Sequence, residues 1–258
     1  MRVVDLDRDM SDVIPTGSSL DSVFLFERMK KATFAGLGDP EGLRVVDVAA
    51  GVGQDGRSLA RGGAWAVGVE PSERMTALAA LCAEKEPAST LGWVRGWSEA
   101  LPFRGRSFDA AFCKGALDHF DDPLGCIREA ARITRAEGRV VFAVANFESL
   151  ACRLSRMLDR LRIRLGKPTR GRRHYDVPSD HFTRYDPELL RAQLERYLKI
   201  EAWVGVSLLW GLPGWSSFLR RIPPTLAARL LQAADWLARA RPAWADVIVA
   251  TGRPLPFS

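Results

Sequence analysis

The sequence predicts an α/β protein built on a doubly wound, parallel sheet of seven strands. Three observations carry this. Short apolar runs alternate with amphipathic, helix-period segments from about residue 43 to 145. A glycine-rich turn follows the first of those runs, where a strand feeds a helix. The chain has 258 residues, 47% hydrophobic and 26% charged, enough to bury a full core without disulfides or metal staples.

The elements follow in order. Residues 18–34 read as a helix capped by Ser18 or Ser19, with Leu20, Val23, Phe24, Phe26 and Phe34 as apolar positions; the glycines and proline of residues 36–40 end it. Residues 43–48 form a short buried strand, the glycine turn follows, and a helix covers about 55–61. Residues 65–69 are the second strand, and Ser72 caps a helix to about residue 85. Trp93 and Val94 mark the third strand, and residues 108–113 the fourth. Asp122 and Pro123 start a helix to Arg135, closed by Gly138. Residues 139–145 are the fifth strand. Beyond Asn146, residues 150–165 form a basic amphipathic helix, 166–180 a loop and 187–197 a helix. Strands at 200–206 and 246–251 flank an apolar helix at 225–240.

This order divides the chain into four parts. Residues 1–40 are an N-terminal helical lid, and 41–147 a cofactor-binding core. Residues 148–199 are a basic lid insertion with its return helix, and 200–258 complete the same domain.

The net charge of +6 is concentrated. Residues 146–199 hold 13 Lys or Arg against 7 Asp or Glu, and the rest of the chain is balanced. The densest stretch begins with Arg153 and ends with Arg173, nine bases against the single acid Asp159. Leu150, Leu154, Met157, Leu158, Leu161 and Leu165 share one face there. Such a helix either packs its leucines on the core as a lid or lies on an anionic membrane. The helix at 225–240 with Trp210, Trp215 and Phe218 then favours a lipidic ligand. Stacking aromatics are sparse along this stretch, which argues against nucleic acid. Cys82, Cys113, Cys126 and Cys152 form no CxxC pair and read as free thiols. The first twelve residues lack a signal-peptide apolar core, and the longest uncharged stretch, 202–219, is broken by Gly, Pro and Ser; the cytoplasm is the expected location.

The most informative stretch is Val46-Asp47-Val48-Ala49-Ala50-Gly51-Val52-Gly53 with Gly56 beyond it. Glycines there let a ligand approach the backbone, and the helix amides favour an anionic group. Gly51, Gly53 and Gly56 satisfy G-x-G-x-x-G, and Glu70 stands 19 residues after Gly51, able to hold ribose hydroxyls of either a nicotinamide or an S-adenosyl nucleoside. Asp47 separates the two: an acid before the glycines suits a ligand carrying an ammonium group, which S-adenosylmethionine has and NAD does not.

These residues resemble motif I of the class I S-adenosylmethionine-dependent methyltransferases. Gly68-Val69-Glu70-Pro71-Ser72 is similar to the acidic loop that follows it. Residues 99–103 (Glu-Ala-Leu-Pro-Phe), Ser107-Phe108-Asp109, Leu117-Asp118-His119-Phe120 and the run 132–140 resemble the small-molecule, quinone-biosynthesis-like subgroup (methyltransferase type 11). The resemblance covers about residues 40–147 well and implies a Rossmann-like, mostly parallel sheet whose last strand is antiparallel. It implies S-adenosyl-L-methionine as cofactor, with Gly51 and Gly53 under the methionine part, Asp47 orienting its ammonium and Glu70 on the ribose. Trp97, Ser98 and Glu99 would border adenine, Cys113 and Lys114 the far side, with Pro71 beside Glu70. Ala49 stands in place of the family's first glycine. Trp97 stands where an aspartate often receives the adenine amino group, so adenine would stack on Trp97 or bond to backbone at Ser98.

A sulfonium methyl needs no metal and no covalent enzyme intermediate, only alignment, exclusion of water and sometimes a base. His119 is the first candidate base, or else a residue tying its loop to the sheet. His174, Tyr175, His181, Tyr185 and Phe24 could face an apolar or aromatic small-molecule substrate, or belong to loop and core. The expected activity is methyl transfer to O, N or C of a small metabolite. The alternatives are an NAD-type oxidoreductase and a non-catalytic S-adenosylmethionine-binding or nucleic-acid-binding regulator.

Overall fold

The computed structural model describes residues 19–167, 175–176 and 182–256. The elements are α1 (Leu20–Leu37), β1 (Arg44–Val48), α2 (Gln54–Arg61), β2 (Trp65–Val69), α3 (Glu73–Lys85), β3 (Leu91–Val94) and β4 (Phe108–Lys114). They continue with α4 (Pro123–Ile133), β5 (Thr134–Ala145), α5 (Leu150–Arg164), α6 (Pro187–Leu194), β6 (Leu198–Val206), α7 (Trp215–Leu219), α8 (Pro224–Ala240) and β7 (Val247–Pro254). The seven strands lie in the order β3-β2-β1-β4-β5-β7-β6. The first five pair in parallel, and β7 runs antiparallel to both β5 and β6. Residues 43–145 thus form the alternating half of the sheet, and the last strand is inserted between β5 and β6.

Strands covered on both faces read as continuous apolar runs, and β1, β4 and β5 do so. On one face Val46, Ile127, Phe142, Tyr185 and Leu194 belong to a core shared with α4 and α6. On the other, Leu25, Met29, Leu59, Phe112 and Val249 pack α1 and α2 against the sheet. The caps are local and legible. Ser72 Oγ accepts from the Met75 amide at 3.2 Å, and Asp122 Oδ1 accepts from Gly125 N at 2.8 Å, with Pro123 in the first turn. Asp186 accepts from the amides of Glu188 and Leu189 in the same way.

Four elements differ from their sequence expectation. Helix α1 runs through Gly36 to Leu37, because a Cβ at Gly36 would stand 2.5 Å from Thr251 Oγ1: the glycine admits close helix–sheet packing and does not stop the helix. Ser19 does not cap with its hydroxyl; that group donates to Asp21 Oδ1 at 2.7 Å. Helix α4 ends at Ile133 and β5 begins at Thr134, which pairs with Phe108. Gly138 lies inside that strand, where a Cβ would come 2.5 Å from the Asp109 carbonyl oxygen. In α5 the small or polar residues Ala151, Cys152, Ser155 and Asp159 face the protein and Leu150 packs beside Leu208 and Ala238, whereas Met157, Leu158, Leu161 and Leu165 face out. The expectation that a lid helix packs its leucines inward is therefore reversed.

Asp246 precedes β7 and is buried; its Oδ2 accepts from the Trp210 amide at 3.0 Å, and its Oδ1 has no partner among the described residues. Burial pushes its carboxyl from an ordinary 3.8 to about 7, opposed by the hydrogen bonds from Trp210 and Ser207. A raised acid means the native state holds its proton more tightly than the unfolded chain. Stability is thus greatest below about pH 4 for this group and is lost as pH rises toward about 7, by on the order of 4 kcal/mol. Asp246→Asn should flatten that part of the stability profile in chemical denaturation; an unchanged slope would contradict the assignment.

Candidate active site

The carboxyl ends of β1, β2 and β4 meet at one edge, the usual ligand-binding side of a doubly wound sheet. Asp47 is the penultimate residue of β1, and the chain then turns through three left-handed residues, Ala49 (φ 60), Gly51 (φ 55) and Gly53 (φ 73). Ala49 bears a Cβ in a region that costs an L-residue about 1–2 kcal/mol, so the place of the missing glycine is strained. The turn is pinned by Ala50 N to Val69 O at 3.1 Å and Gly53 N to Ala50 O at 2.8 Å. Buried Arg57 clasps it by donating to the Val52 carbonyl at 2.6 Å.

The three glycines of the pattern have different reasons. A Cβ at Gly51 would meet only the flexible end of the Met75 side chain, at 3.3 Å, a contact a small shift of that side chain relieves. A Cβ at Gly53 would stand 2.3 Å from the Trp93 ring, and one at Gly56 2.9 Å from Leu91. Gly53 and Gly56 thus admit β3 side chains, and Gly51 alone of the three meets nothing but the end of one flexible side chain.

Glu70, just past β2, joins this turn to α3: its carboxylate accepts from Gly51 N and from Ser72 N, both at 3.0 Å. A carboxylate has about four acceptor sites, so two remain for hydroxyl donors. Burial raises its pKa, against the pull of those two amides. Asp47 is also buried, and burial followed by the charge of Asp55 raises its carboxyl well above the ordinary range; Lys114 pulls the other way. Lys114 Nζ lies 2.6 Å from Asp55 Oδ2, a buried ion pair between the end of β4 and the first turn of α2. Lys30 reaches the other Asp55 oxygen at 3.7 Å. Asp47, Asp55 and Glu70 therefore share one buried region in which Lys114 and Lys30 both pair with Asp55.

The adenine-side candidates sit beside Glu70. Glu70 N donates to Val94 O, and Gly96 N to Glu70 O, which places residues 97–99 next to it. Ser98 is buried and its hydroxyl donates to Glu99 at 3.1 Å; Pro71 accepts from Arg95 at 3.2 Å. Glu129 and Arg132 of α4 fix the following segment, with Glu129 accepting from Leu101 N at 2.9 Å and Arg132 donating to the carbonyls of Leu101 and Phe103.

Other candidates are placed elsewhere. Cys113 is fully buried in the core and hydrogen-bonded with Cys126, so its side chain does not line a cofactor crevice, and that of Lys114 is committed to Asp55. Only their backbone remains available at the end of β4. Tyr185 is fully buried, donates to Gln193 at 2.7 Å and has its pKa raised by burial; it is a core residue, not a pocket wall. Phe24 packs with Leu219, Ala227 and Leu231 between α1 and α8. Tyr175 donates to Asp159 at 2.8 Å and so braces α5. His174 and His181 lie outside the described residues. His119 ends a 3-10 turn, Leu117–His119, half-buried, in the loop after β4; that loop is held where the Asp118 carbonyl accepts from the amides of Phe182 and Thr183.

The sequence reading missed Asp55, Met75, Trp93, Glu129 and Arg132. Asp55 carried a signal, an acid in the first turn of the helix that follows the glycines. A hollow of about 710 Å³ lies at the amino ends of the strands between Arg44, Trp65, Leu91 and Phe108, away from all these acids.

The glycine geometry separates two substitutions. Gly53→Ala should destabilise by about 2–5 kcal/mol through overpacking on Trp93 and the left-handed backbone. Gly51→Ala should cost only about 1–2 kcal/mol. Equal losses in thermal unfolding would refute the different roles given to the two residues.

Residues 46–142 match the family model of the methyltransferase domain. The uncharacterized methyltransferase YcgJ of Bacillus subtilis is 31% identical over 96 residues, 37% of this chain and 38% of that protein. The demethylmenaquinone methyltransferase of Mycolicibacterium paratuberculosis is 38% identical over 112 residues, 43% and 46% of the two chains. The match thus spans less than half the length of either relative. Among solved structures, the PH0226 protein from Pyrococcus horikoshii superposes with a TM-score of 0.62 at 16% identity, covering 96% of this chain and 99% of that one, which shows the fold. Residues 46–142 therefore match a methyltransferase domain, carried on a seven-stranded sheet of the Rossmann-like fold that PH0226 shares.

Proposed function

We propose that the chain transfers a methyl group from S-adenosylmethionine to O, N or C of a small, apolar or aromatic metabolite. The observation that carries the reading is the buried cluster Asp47, Asp55 and Glu70, in which both lysines pair with Asp55, set beside the left-handed turn at Gly51. A nicotinamide dinucleotide brings anionic pyrophosphate to such a turn, and a cluster of buried acids disfavours it. A sulfonium nucleoside brings positive charge, and the raised acids suit it. The demethylmenaquinone enzyme among the relatives makes a quinone-like acceptor the first class to test.

In this reading Glu70 uses its free acceptor sites on the ribose hydroxyls, while its bonds to Gly51 and Ser72 hold it in place. Asp47 supports the ammonium end, and Lys114 with Asp55 keeps the floor of the turn rigid. Trp97, Ser98 and Glu99 border the base. When bound, the cofactor supplies a methyl already activated on positively charged sulfur, so the chain's work is to align, to exclude water and, where the acceptor carries a proton, to remove it. His119 is the proposed acceptor of that proton, since imidazole titrates near neutrality. The proposed site of action is the cytoplasm; no helix among the described residues is long and apolar enough to cross a membrane.

Calorimetry tests the cofactor. Glu70→Ala should weaken S-adenosylmethionine binding by roughly 100-fold, the worth of two charge-assisted hydrogen bonds. Wild-type binding of NAD without S-adenosylmethionine would overturn the reading.

Kinetics test the base. His119→Ala should lower kcat by roughly 100-fold or more, with cofactor affinity unchanged. An unaltered rate with an acceptor that must lose a proton would remove His119 from that role.

A further inference from the structure

Helix α5 is built the wrong way round for a helix that only packs on a core. Its protein-facing positions are Ala151, Cys152, Ser155 and Asp159, and Asp159 is fixed there by Tyr175 at 2.8 Å and by Arg162 at 3.6 Å. Met157, Leu161 and Leu165 each expose more than half of their surface, and Leu158 more than a third. With Leu154 they recur at i, i+3, i+4 and i+7, so they form one continuous outward stripe. Single exposed leucines are ordinary; a stripe of them along about three turns marks a contact.

The charge beside that stripe identifies the partner. At 100° per residue, Arg153, Arg156, Arg160 and Arg164 form a second row along its flank, also away from the core. Glu148 takes up Arg153 and Arg156 near the start of the helix, and Arg160 and Arg164 carry the row onward at exposed positions. An apolar stripe bordered by guanidinium groups is the pattern of a helix lying in a membrane interface, with leucines among the acyl chains and arginines at lipid phosphates. A protein partner with an apolar groove would satisfy the leucines alone; an anionic lipid surface satisfies both rows. Position adds a reason. Strand β5 delivers the chain to Ser149, the cap of α5, at the same end of the sheet as Asp47 and Glu70.

We infer that α5 docks the protein on an anionic lipid surface and so presents the carboxyl edge of the sheet to molecules held in that bilayer. This does not rest on the methyl-transfer reading. The test is flotation of the full chain with phosphatidylcholine vesicles, with and without phosphatidylglycerol. The protein should float with the anionic vesicles, less so in high salt, and stay behind with the neutral ones. Leu161→Ser with Leu165→Ser, and separately Arg160→Glu with Arg164→Glu, should each weaken partitioning by on the order of tenfold or more. All four positions are exposed, and unchanged thermal unfolding checks that the variants fold. Absence of flotation, equal binding to neutral vesicles, or binding indifferent to both pairs would overturn the inference. So would a self-associated dimer that the leucine pair dissolves, since a second copy would then cover the stripe.

Discussion

Everything at the carboxyl edge depends on holding three carboxylates in a small buried volume. Asp47, Asp55 and Glu70 are each less than a tenth exposed, and the charges of Asp55 and Glu70 both act on Asp47. Unpaired charges in such a place are costly, so each is partly compensated. Glu70 holds two backbone amides, Asp55 an ammonium group, and Asp47 an amide of α2. The compensation is incomplete. A protein that needed only stability could replace these acids with apolar residues, and the retained imbalance marks the region as a place where charge is to be met by something arriving from outside.

The same contacts build the local geometry. Glu70 ties the strand-two end to the glycine turn, so removing it would free the backbone that it also shapes. Lys114 ties the fourth strand to α2 across the first, and Glu129 with Arg132 anchor the segment after β3. The site is thus a set of strand ends locked by side chains from the helices between them, which is how a rigid scaffold holds variable loops in register.

Much of this was readable without coordinates. The alternation of apolar runs gave the parallel half of the sheet, because strands covered on both faces have no polar side to break the pattern. Ser72, Asp122 and Asp186 announced their helices through cap chemistry confined to a few residues. Glycines were less transparent. Gly36 and Gly138 resemble helix stops in one dimension, yet both exist because a neighbouring chain passes within van der Waals distance, a contact set by residues far away in sequence. Gly53 similarly answers to Trp93. The candidate pocket aromatics are open for a related reason: Tyr185 and Phe24 are types at home in either a pocket or a core, and only the fold places Tyr185 in the core. The leucines of α5 show the reverse error, since periodicity reveals which residues share a face and is silent on which way that face points.

The central claim is that the buried acids await a cation. It is tested most directly by counting protons during titration with S-adenosylmethionine, using calorimetry in mildly acidic buffers of different ionisation enthalpy. A cation beside carboxylates whose pKa values are raised by burial must lower those values, so binding should release protons, and fewer in Asp47→Asn. Proton uptake on binding, or a release untouched by that substitution, would contradict the account.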